Sequence, residues 1–493
     1  NREPCPVCPP GTILRSLIAG GTRRFFSTIM SKKQLLFGRW VVPVEPADCV
    51  YLDHCVVVED GIITDVLPSA EARTKHAAVP EGDRFEGGKE HVLLPGFVNC
   101  HTHSAMTLLR GIADDLPLMP WLTEHVWPAE GKFVSPEFVA DGTRVAIVEM
   151  LKGGTTTFND MYFFPDEIAK AADESGMRAV VGLICIGFPS AYCGSPDNDM
   201  TANIKAYLAK GVEINDNLIS KMPLVTTIIA PHAPYTCGRA GLQHCKDEGD
   251  RLGLGVHIHL CETGGEVKDW KAANGDETPI GCLDSLGMIQ KGLVAVHMTN
   301  VEDKEMDRLA SESVSVVHCP ESNMKLASGA CQVACLLKKG VNVAIGTDGC
   351  ASNNDLDMYS EMHTAALLGK HVAADSTAVP AAQAIRMATL GGAKALGLDK
   401  TVGSLEVGKA ADIQAVSMGG IESAPLYDVL SHLAYCTGRQ QVSDVWVAGK
   451  RIVNGRVVTT LDEEDLRARA HAWGDKIQKS NLHTMQCKRT SSK

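Results

Sequence analysis

Short, continuous apolar runs recur through the middle of the chain, and stretches with a helical pattern separate them. The helical stretches include residues 137–152, 166–176 and 306–311. Runs that are apolar throughout, rather than alternating, are typical of strands buried on both faces of a sheet. The eight runs predicted to be strands are 92–100, 155–160, 179–185, 226–230, 255–260, 293–298, 314–319 and 341–346.

Strands that alternate with helices predict a parallel sheet covered by helices on both faces. Eight such units over about 250 residues are typical of a closed (β/α)8, or TIM, barrel, which we place at residues 95–399. A doubly wound open sheet is the alternative. Because no G-x-G-x-x-G motif or P-loop lies near the first strand, the pattern favours the barrel.

The segments on either side of the barrel have a different pattern, with many β-branched residues, frequent turn signals and few long helical stretches. We predict that residues 34–94 and 400–460 pair to form one small β-sandwich domain, although they are distant in sequence. Residues 461–493 are predicted to be a C-terminal helix followed by a frayed tail. A capping box at Thr460-Leu-Asp-Glu463 is expected to open that helix.

The composition is that of a globular protein, with 45% hydrophobic and 22% charged residues in 493. The net charge of −12, from 47 Lys+Arg and 59 Asp+Glu, argues against nucleic-acid and anionic-membrane partners, which require a basic face. No run approaches the about 18 apolar residues of a membrane span. The 17 scattered cysteines indicate reduced thiols in an intracellular compartment, so a cytoplasmic location is expected.

Residues 1–33 have a composition of their own and are predicted to be a leader or a disordered tail. One interpretation is an organellar transit peptide, because the segment contains four arginines and only one acidic residue, Glu3. The other interpretation is that Met30 is the true start of the protein. The four arginines are Arg2, Arg15, Arg23 and Arg24.

Polar residues suited to metal binding and proton transfer collect at the carboxyl ends of the predicted strands, where the active sites of (β/α)8 barrels lie. Strand 1 ends in His101-Thr-His103, and alternation places both imidazoles on one face, about 6.6 Å apart along the strand. A single histidine at a strand end is usually a buried core residue. Core histidines placed at random would not all lie at the same edge of the barrel, so their grouping indicates a site. The others are His232 on strand 4, His257, His259 and Glu262 on strand 5, His297 on strand 6, His318 on strand 7 and Asp348 on strand 8.

The Pro-Gly-Phe-Val-Asn-Cys-His-Thr-His stretch at 95–103 resembles the first-strand signature of the amidohydrolase superfamily. The likeness then narrows to the 5-methylthioadenosine/S-adenosylhomocysteine deaminases, chiefly through the long loop at 107–130. It covers roughly residues 35–460. Shorter stretches that share it are 160–164, 231–235, 318–326 and 346–354.

The resemblance implies one divalent metal ion per chain, usually zinc, although another divalent ion would also suit such ligands. Carried over by position, its ligands are His101, His103, His259 and Asp348. Binuclear relatives have a bridging lysine at the end of strand 4, where this chain has His232. His257 also faces inward and rivals His259, but Glu262 follows His259 at the family's spacing, so His257 is expected one layer deeper.

The resemblance also implies the roles of the remaining site residues. Asp348 takes a proton from the attacking water, Glu262 carries it to the purine ring and then to the leaving amine, and His297 hydrogen-bonds the attacking group. Glu130 binds the ribose hydroxyls, while Trp121 and His232 line the substrate pocket. The implied reaction converts 5'-methylthioadenosine or S-adenosylhomocysteine to the inosine derivative and ammonia.

The tail of the substrate is the least constrained feature. In family members that act on S-adenosylhomocysteine, arginines after strand 3 hold the tail carboxylate, but this chain has no arginine between Arg178 and Arg239. The stretch at 186–192 is instead apolar and aromatic, which favours a methylthio group. Another deaminase of the superfamily, acting on guanine, a triazine or a pterin, and a non-catalytic barrel scaffold are the alternatives. The sequence leaves open whether the chain is a homo-oligomer.

Overall fold

The computed structural model describes residues 32–480. The expectations for residues 1–31 and for the tail at 481–493 therefore lie outside the described residues. Within the described range the strands, in chain order, are β1 (Lys33–Val41), β2 (Tyr51–Glu59), β3 (Ile62–Pro68), β4 (Arg84–Glu86), β5 (His91–Pro95), β6 (Phe97–Thr102), β7 (Thr155–Asp160), β8 (Arg178–Cys185), β9 (Val225–Pro231), β10 (Val256–Leu260), β11 (Leu293–His297), β12 (Ser315–His318), β13 (Asn342–Ile345), β14 (Ile413–Ser417), β15 (Val442–Val447), β16 (Lys450–Asn454) and β17 (Val457–Val458).

Most of the described helices alternate with the strands of the barrel and cover it, whereas α1 packs on strands β2 and β3 of the other sheet. In chain order they are α1 (Ser69–Lys75), α2 (Leu118–Pro120), α3 (Trp127–Phe133), α4 (Pro136–Lys152), α5 (Pro165–Ser175), α6 (Met200–Asn217), α7 (Pro234–Leu252), α8 (Gly264–Ala273), α9 (Pro279–Ser285), α10 (Asp303–Ser311), α11 (Pro320–Lys325), α12 (Val333–Lys338), α13 (Met358–Ala373), α14 (Ala381–Arg386), α15 (Gly392–Ala395), α16 (Val429–Tyr435) and α17 (Glu463–Gln478). No helix within residues 32–480 combines the length and the apolar character that crossing a membrane requires.

The predicted barrel is confirmed. Strands β6 to β13 are parallel neighbours in sequence order, and each predicted apolar run overlaps one of them. A parallel bridge between Thr102 and Asp348 joins the first strand to the segment after the last. Because the strands are buried over nearly their whole length, the sequence carries continuous apolar runs rather than an alternating pattern.

The first predicted strand, 92–100, is wrong in its extent, because it contains two strands of different sheets. Strand β5 pairs with β1 and β14 outside the barrel, and β6 starts the barrel after Gly96. A Cβ atom at Gly96 would lie 2.1 Å from the Thr156 side chain, so only glycine fits where the chain passes between the sheets. The run is apolar throughout because both strands are buried.

The small β-domain predicted from both flanking segments is also confirmed. Its strands form one nine-stranded sheet in the order β17-β16-β15-β14-β5-β1-β2-β3, with β4 beside β1. Side chains from the two segments share one core, in which Leu36 and Val56 pack with Ala415 and Trp446. Strand β5 lies between β1 and β14 and so joins the two segments within the sheet, and backbone hydrogen bonds of Ile63 with Lys409 and Gly408 connect them further.

Local capping differs from the prediction at the last helix. Asp462 caps α17 by accepting hydrogen bonds from the backbone N–H groups of Glu464 and Asp465. The predicted cap, Thr460, instead donates its hydroxyl hydrogen to the Ser175 carbonyl. The capping-box prediction was wrong because an aspartate two residues later competes for the same role.

Candidate metal centre and active site

Three histidines meet at the carboxyl end of the barrel strands. His101 and His103 lie at the end of β6, and His259 lies on β10. The Nδ1 atoms of His103 and His259 lie 2.6 Å from the carbonyl oxygens of Met161 and His232. A carbonyl can only accept, so each ring carries its proton on Nδ1 and turns the Nε2 lone pair inward, as a metal ligand requires.

Asp348 completes the group from the segment after β13. Its backbone is left-handed, with φ of 61°, a strained conformation for a residue with a side chain. Its Oδ1 lies 3.2 Å from the Nε2 atoms of both His101 and His103. Its Oδ2 accepts hydrogen bonds from the hydroxyls of Ser322 and Ser352, at 2.6 and 2.9 Å. The carboxylate is thus fixed with one oxygen toward the histidines.

These four residues fit a single metal ion. The ligand atoms of His101, His103, His259 and Asp348 all lie within 4.8 Å of one another. Four of the separations are 3.2 or 3.3 Å. Ligand atoms around tetrahedral zinc, with bonds of about 2.0 Å, lie about 3.3 Å apart. Three imidazole nitrogens and a carboxylate are also a donor set that zinc prefers.

His257 lies behind this group rather than in it. It is fully buried, and its Nε2 lies 3.0 Å from Nδ1 of His101. If the Nε2 atom of His101 binds a metal, the Nδ1–H of that ring donates to His257. The His257 side chain therefore supports His101 from a deeper layer of the barrel, the position expected for it from the sequence.

Glu262 and His297 lie beside the metal group. Both side chains are buried, and Oε2 of Glu262 lies 3.9 Å from Nε2 of His297. Burial raises the pKa of Glu262 above the usual value of a glutamate, so its protonated form is favoured relative to an exposed glutamate. The backbone N–H of Glu262 donates to Glu266, which fixes the start of the segment after β10. A carboxyl group that can hold and release a proton thus lies next to the metal group.

A pocket of about 730 Å³ opens above the metal group. The β6 loop, residues 104–134, supplies seven of its 21 lining residues and includes a π-helical segment at Trp121–Val126. The lining residues are His103, Met106, Leu118, Trp121, Leu122, Val126, Trp127, Glu130, Met161, Tyr162, Phe163, Ile184, Ile186, Phe188, His232, Tyr235, His259, Glu262, His297, Leu326 and Asp348. Eight of the nine residues that the sequence analysis assigned to the metal, to catalysis or to the substrate line this pocket, and the ninth, His101, lies in the metal group beneath it.

Glu130 projects from helix α3 into the pocket wall. The Tyr162 hydroxyl donates a hydrogen bond to its Oε1 at 2.7 Å. Burial in this mostly apolar wall raises the pKa of Glu130 to about 7, although the Tyr162 hydrogen bond opposes the shift. A partly ionised carboxylate facing an apolar pocket is suited to accept hydrogen bonds from substrate hydroxyls.

The other two predicted substrate residues have different surroundings. His232 follows β9, and its Nδ1 lies 3.0 Å from the Thr236 hydroxyl. Its ring lies beside His259, with 4.8 Å between ring centroids. Trp121 is buried in the pocket wall, and its indole N–H has no hydrogen-bond partner within residues 32–480. Both side chains border the pocket without being held as firmly as the metal group.

Several supporting residues had no role in the sequence analysis. Ser322 and Ser352 hold Asp348, Asn323 accepts from the His297 ring at 2.8 Å, and Tyr162 holds Glu130. All four lie inside motifs that carried the family resemblance. The motifs marked these positions, but their contacts depend on neighbouring strands and could not be read from spacing.

The comparisons with known proteins agree with this geometry. The model of the amidohydrolase family matches residues 92–452. The chain belongs to the amidohydrolase family. Among curated amidohydrolases, one from Saccharophagus degradans named 5-methylthioadenosine/S-adenosylhomocysteine deaminase is 42% identical over 450 residues, 90% of this chain and 96% of the relative. A protein of the same name from Thermodesulfovibrio yellowstonii is 41% identical over 454 residues, 92% of this chain and 100% of the relative.

A solved structure of the same family also aligns over most of the chain. It is described as an adenosine deaminase from Xanthomonas campestris with bound zinc. It is 48% identical with a TM-score of 0.86, and the match covers 90% of this chain and 98% of that one. The family predicted from the motifs is thereby confirmed, as is the barrel with a small β-domain predicted from the pattern of apolar runs.

Proposed function

We propose that this amidohydrolase is a zinc-dependent hydrolytic deaminase of adenosine derivatives, converting 5'-methylthioadenosine or S-adenosylhomocysteine to the inosine derivative and ammonia. The observation that carries the proposal is the three-histidine, one-aspartate group beneath a pocket that also contains Glu262 and Glu130. The relatives named above as deaminases support the same reaction, because the chain matches them over nearly their whole length.

The metal would be held by His101, His103, His259 and Asp348, whose ligand atoms fit one tetrahedral ion. Zinc is the metal we propose, with another divalent ion as the alternative. When bound, zinc lowers the pKa of water toward about 7 and so makes it nucleophilic at neutral pH. The Nδ1 hydrogen bonds of His103 and His259 keep both rings in the tautomer that such binding needs.

Proton transfer is assigned to Asp348 and Glu262. Asp348 takes a proton from the attacking water, since its Oδ1 faces the site while the serine hydroxyls hold Oδ2. Glu262 gives its proton to N1 of the purine, which makes C6 electrophilic. Burial raises the pKa of Glu262, which favours the protonated form that this step requires. As the C6–N bond breaks, Glu262 takes the remaining proton of the added hydroxyl group and passes it to the leaving amine, and the proton held by Asp348 then restores Glu262. His297, whose Nε2 lies 3.9 Å from Oε2 of Glu262, hydrogen-bonds the attacking group.

Substrate recognition is assigned to the pocket wall. Glu130 accepts hydrogen bonds from the ribose hydroxyls, with Tyr162 holding its other oxygen. Trp121 and His232 border the space for the purine and sugar. A site built to hydrogen-bond hydroxyls rejects analogues that lack them by up to about 10⁴-fold. A free base such as guanine would leave Glu130 unpaired.

The tail of the substrate meets an apolar surface. Ile186 and Phe188 line the pocket, and no lysine or arginine is among its lining residues in the described part of the chain. A carboxylate is held best by the planar fork of an arginine, which this wall does not offer. We therefore propose that 5'-methylthioadenosine is deaminated at least as efficiently as S-adenosylhomocysteine.

The proposal is tested with the purified full-length chain and 5'-methylthioadenosine. Ammonia and the inosine derivative are expected in equal amounts, with about one zinc ion per chain by elemental analysis. Removal of the metal by a chelator should abolish turnover, and zinc should restore it. Turnover that survives metal removal would contradict the proposal, and two ions per chain would contradict the single site.

A further inference from the structure

The short helix α11 supports two residues of the active site at once. Ser322 reaches Asp348, as described above, while the next residue, Asn323, faces His297. Asn323 is buried, and its Oδ1 lies 2.8 Å from Nδ1 of the His297 ring. The sequence analysis and the proposed reaction assign no role to this asparagine.

The contact determines which ring nitrogen of His297 carries the proton. A neutral imidazole has one N–H donor and one acceptor nitrogen. Because the Asn323 oxygen can only accept, the proton lies on Nδ1 and the lone pair lies on Nε2. Nε2 points to the same space as Glu262, 3.9 Å from its Oε2. His297 therefore presents an acceptor, not a donor, to whatever binds beside the metal group.

The backbone conformation at His297 is strained, and this is a second reason to expect contacts that hold its ring in place. Its φ is 74°, and the φ of Met298 is 50°, two consecutive left-handed residues with side chains. Such conformations persist only where surrounding contacts hold them. On one face the ring stacks on His259, with 5.4 Å between centroids, and Asn323 is its hydrogen-bond partner at Nδ1.

We propose that Asn323 is a positioning residue that fixes the tautomer and orientation of His297. In this role His297 accepts a hydrogen bond from the O–H of the attacking water through Nε2, and so aims the oxygen lone pair at C6 of the purine. The inference rests on the proposed deaminase function. Asn323 touches neither substrate nor metal ligand and acts only through His297.

The experiment is a double-mutant cycle on the zinc-loaded enzyme with 5'-methylthioadenosine. The variants are Asn323→Leu, which is close in shape but cannot accept, His297→Gln, and the two combined. Asn323→Ala is made in parallel as a smaller replacement. Ser328→Ala is the matched control, because Ser328 is buried in the adjoining segment and its hydroxyl has no partner within the described residues. The readouts are kcat, KM, zinc per chain and melting temperature.

Asn323→Leu should lower kcat by about 10- to 100-fold, the usual effect of removing a residue that orients a site histidine. KM and zinc content should match those of Ser328→Ala. In the His297→Gln background the Asn323 substitution should change kcat by no more than about 2-fold, since the residue it orients is gone.

An unchanged kcat in both Asn323 variants would overturn the inference. So would an equal loss in the presence and absence of His297, or a loss of zinc, since either would mean a structural role independent of that ring. A wild-type enzyme that releases no ammonia from 5'-methylthioadenosine would instead overturn the proposed function itself.

Discussion

The floor and the wall of the pocket are built in different ways. The floor is the metal group, whose residues come from strand ends and are held by backbone carbonyls or buried hydroxyls. The wall is the β6 loop, where Glu130 is held by one side-chain hydrogen bond and Trp121 by packing. The floor is thus rigid through the hydrogen-bond ladder of the barrel, whereas the wall depends on contacts between loops.

This difference separates chemistry from specificity. Residues on strand ends of a (β/α)8 barrel hold their geometry while the loops vary, so one floor serves many substrates. A change in the floor should therefore remove activity toward every substrate. A change in the wall should alter the ranking of substrates and leave the metal in place.

The largest effect is expected from His103→Ala, a change in the floor. Removing one of four ligands leaves an incomplete site, so both zinc and ammonia release should be lost. Elemental analysis and turnover of the same preparation measure this, with Ser328→Ala as the control. A variant that kept its zinc would show that His103 is not a ligand.

The next effect is expected from Glu262→Gln, at the edge of the floor. Glutamine is nearly isosteric but cannot transfer a proton, so kcat should fall by about 10²- to 10⁴-fold, the usual contribution of general acid–base catalysis. Zinc content should remain near one per chain, because Glu262 is not part of the ligand group. Loss of the metal, or an unchanged rate, would contradict the assigned role.

A smaller and more selective effect is expected from Glu130→Gln, in the wall. Losing charge-assisted hydrogen bonds to ribose should lower kcat/KM for 5'-methylthioadenosine by about 10²-fold. Tyr162→Phe, which removes only the supporting hydrogen bond, should cost about 5-fold. Glu130→Gln should discriminate only weakly between the nucleoside and its 2',3'-dideoxy analogue, whereas Tyr162→Phe, which keeps Glu130, should retain most of the discrimination. If Glu130→Gln keeps full discrimination, the ribose is bound elsewhere.

The smallest effect is a pH dependence that belongs to the wall alone. Burial raises the pKa of Glu130 to about 7, so the carboxylate that accepts ribose hydroxyls is lost as the pH falls through that value. KM for 5'-methylthioadenosine should therefore rise between pH 8 and pH 6, by less than about 10-fold. Glu130→Gln should flatten this part of the profile, and a profile that it leaves unchanged would assign the dependence to another group.

The same contrast explains how much the sequence predicts. The metal group follows from strand-end motifs, because parallel strands bring their carboxyl ends together whatever their separation in the chain. The contacts within the wall cannot be predicted from the sequence in the same way. Tyr162 and Glu130 are 32 residues apart, and their contact depends on the conformation of the loop between them. Asn323 meets His297 in a similar way, across 26 residues.

The errors at the edges of elements have local causes. A continuous apolar run at 92–100 conceals the passage between two sheets at Gly96, because burial is equal on both sides. The N-terminus of α17 was misplaced because two residues with capping side chains, Thr460 and Asp462, lie close together. Only the tertiary contact of Thr460 with Ser175 decides between them.

The most direct test of the account is kcat/KM for ammonia release from five compounds: 5'-methylthioadenosine, S-adenosylhomocysteine, adenosine, adenine and guanine. The floor and wall together predict that 5'-methylthioadenosine is at least as good as S-adenosylhomocysteine, that adenosine is weaker, and that the free bases are nearly inert. A clear preference for S-adenosylhomocysteine would mean that another group holds its tail. A preference for a free base would contradict the ribose role of Glu130 and the proposed substrate class.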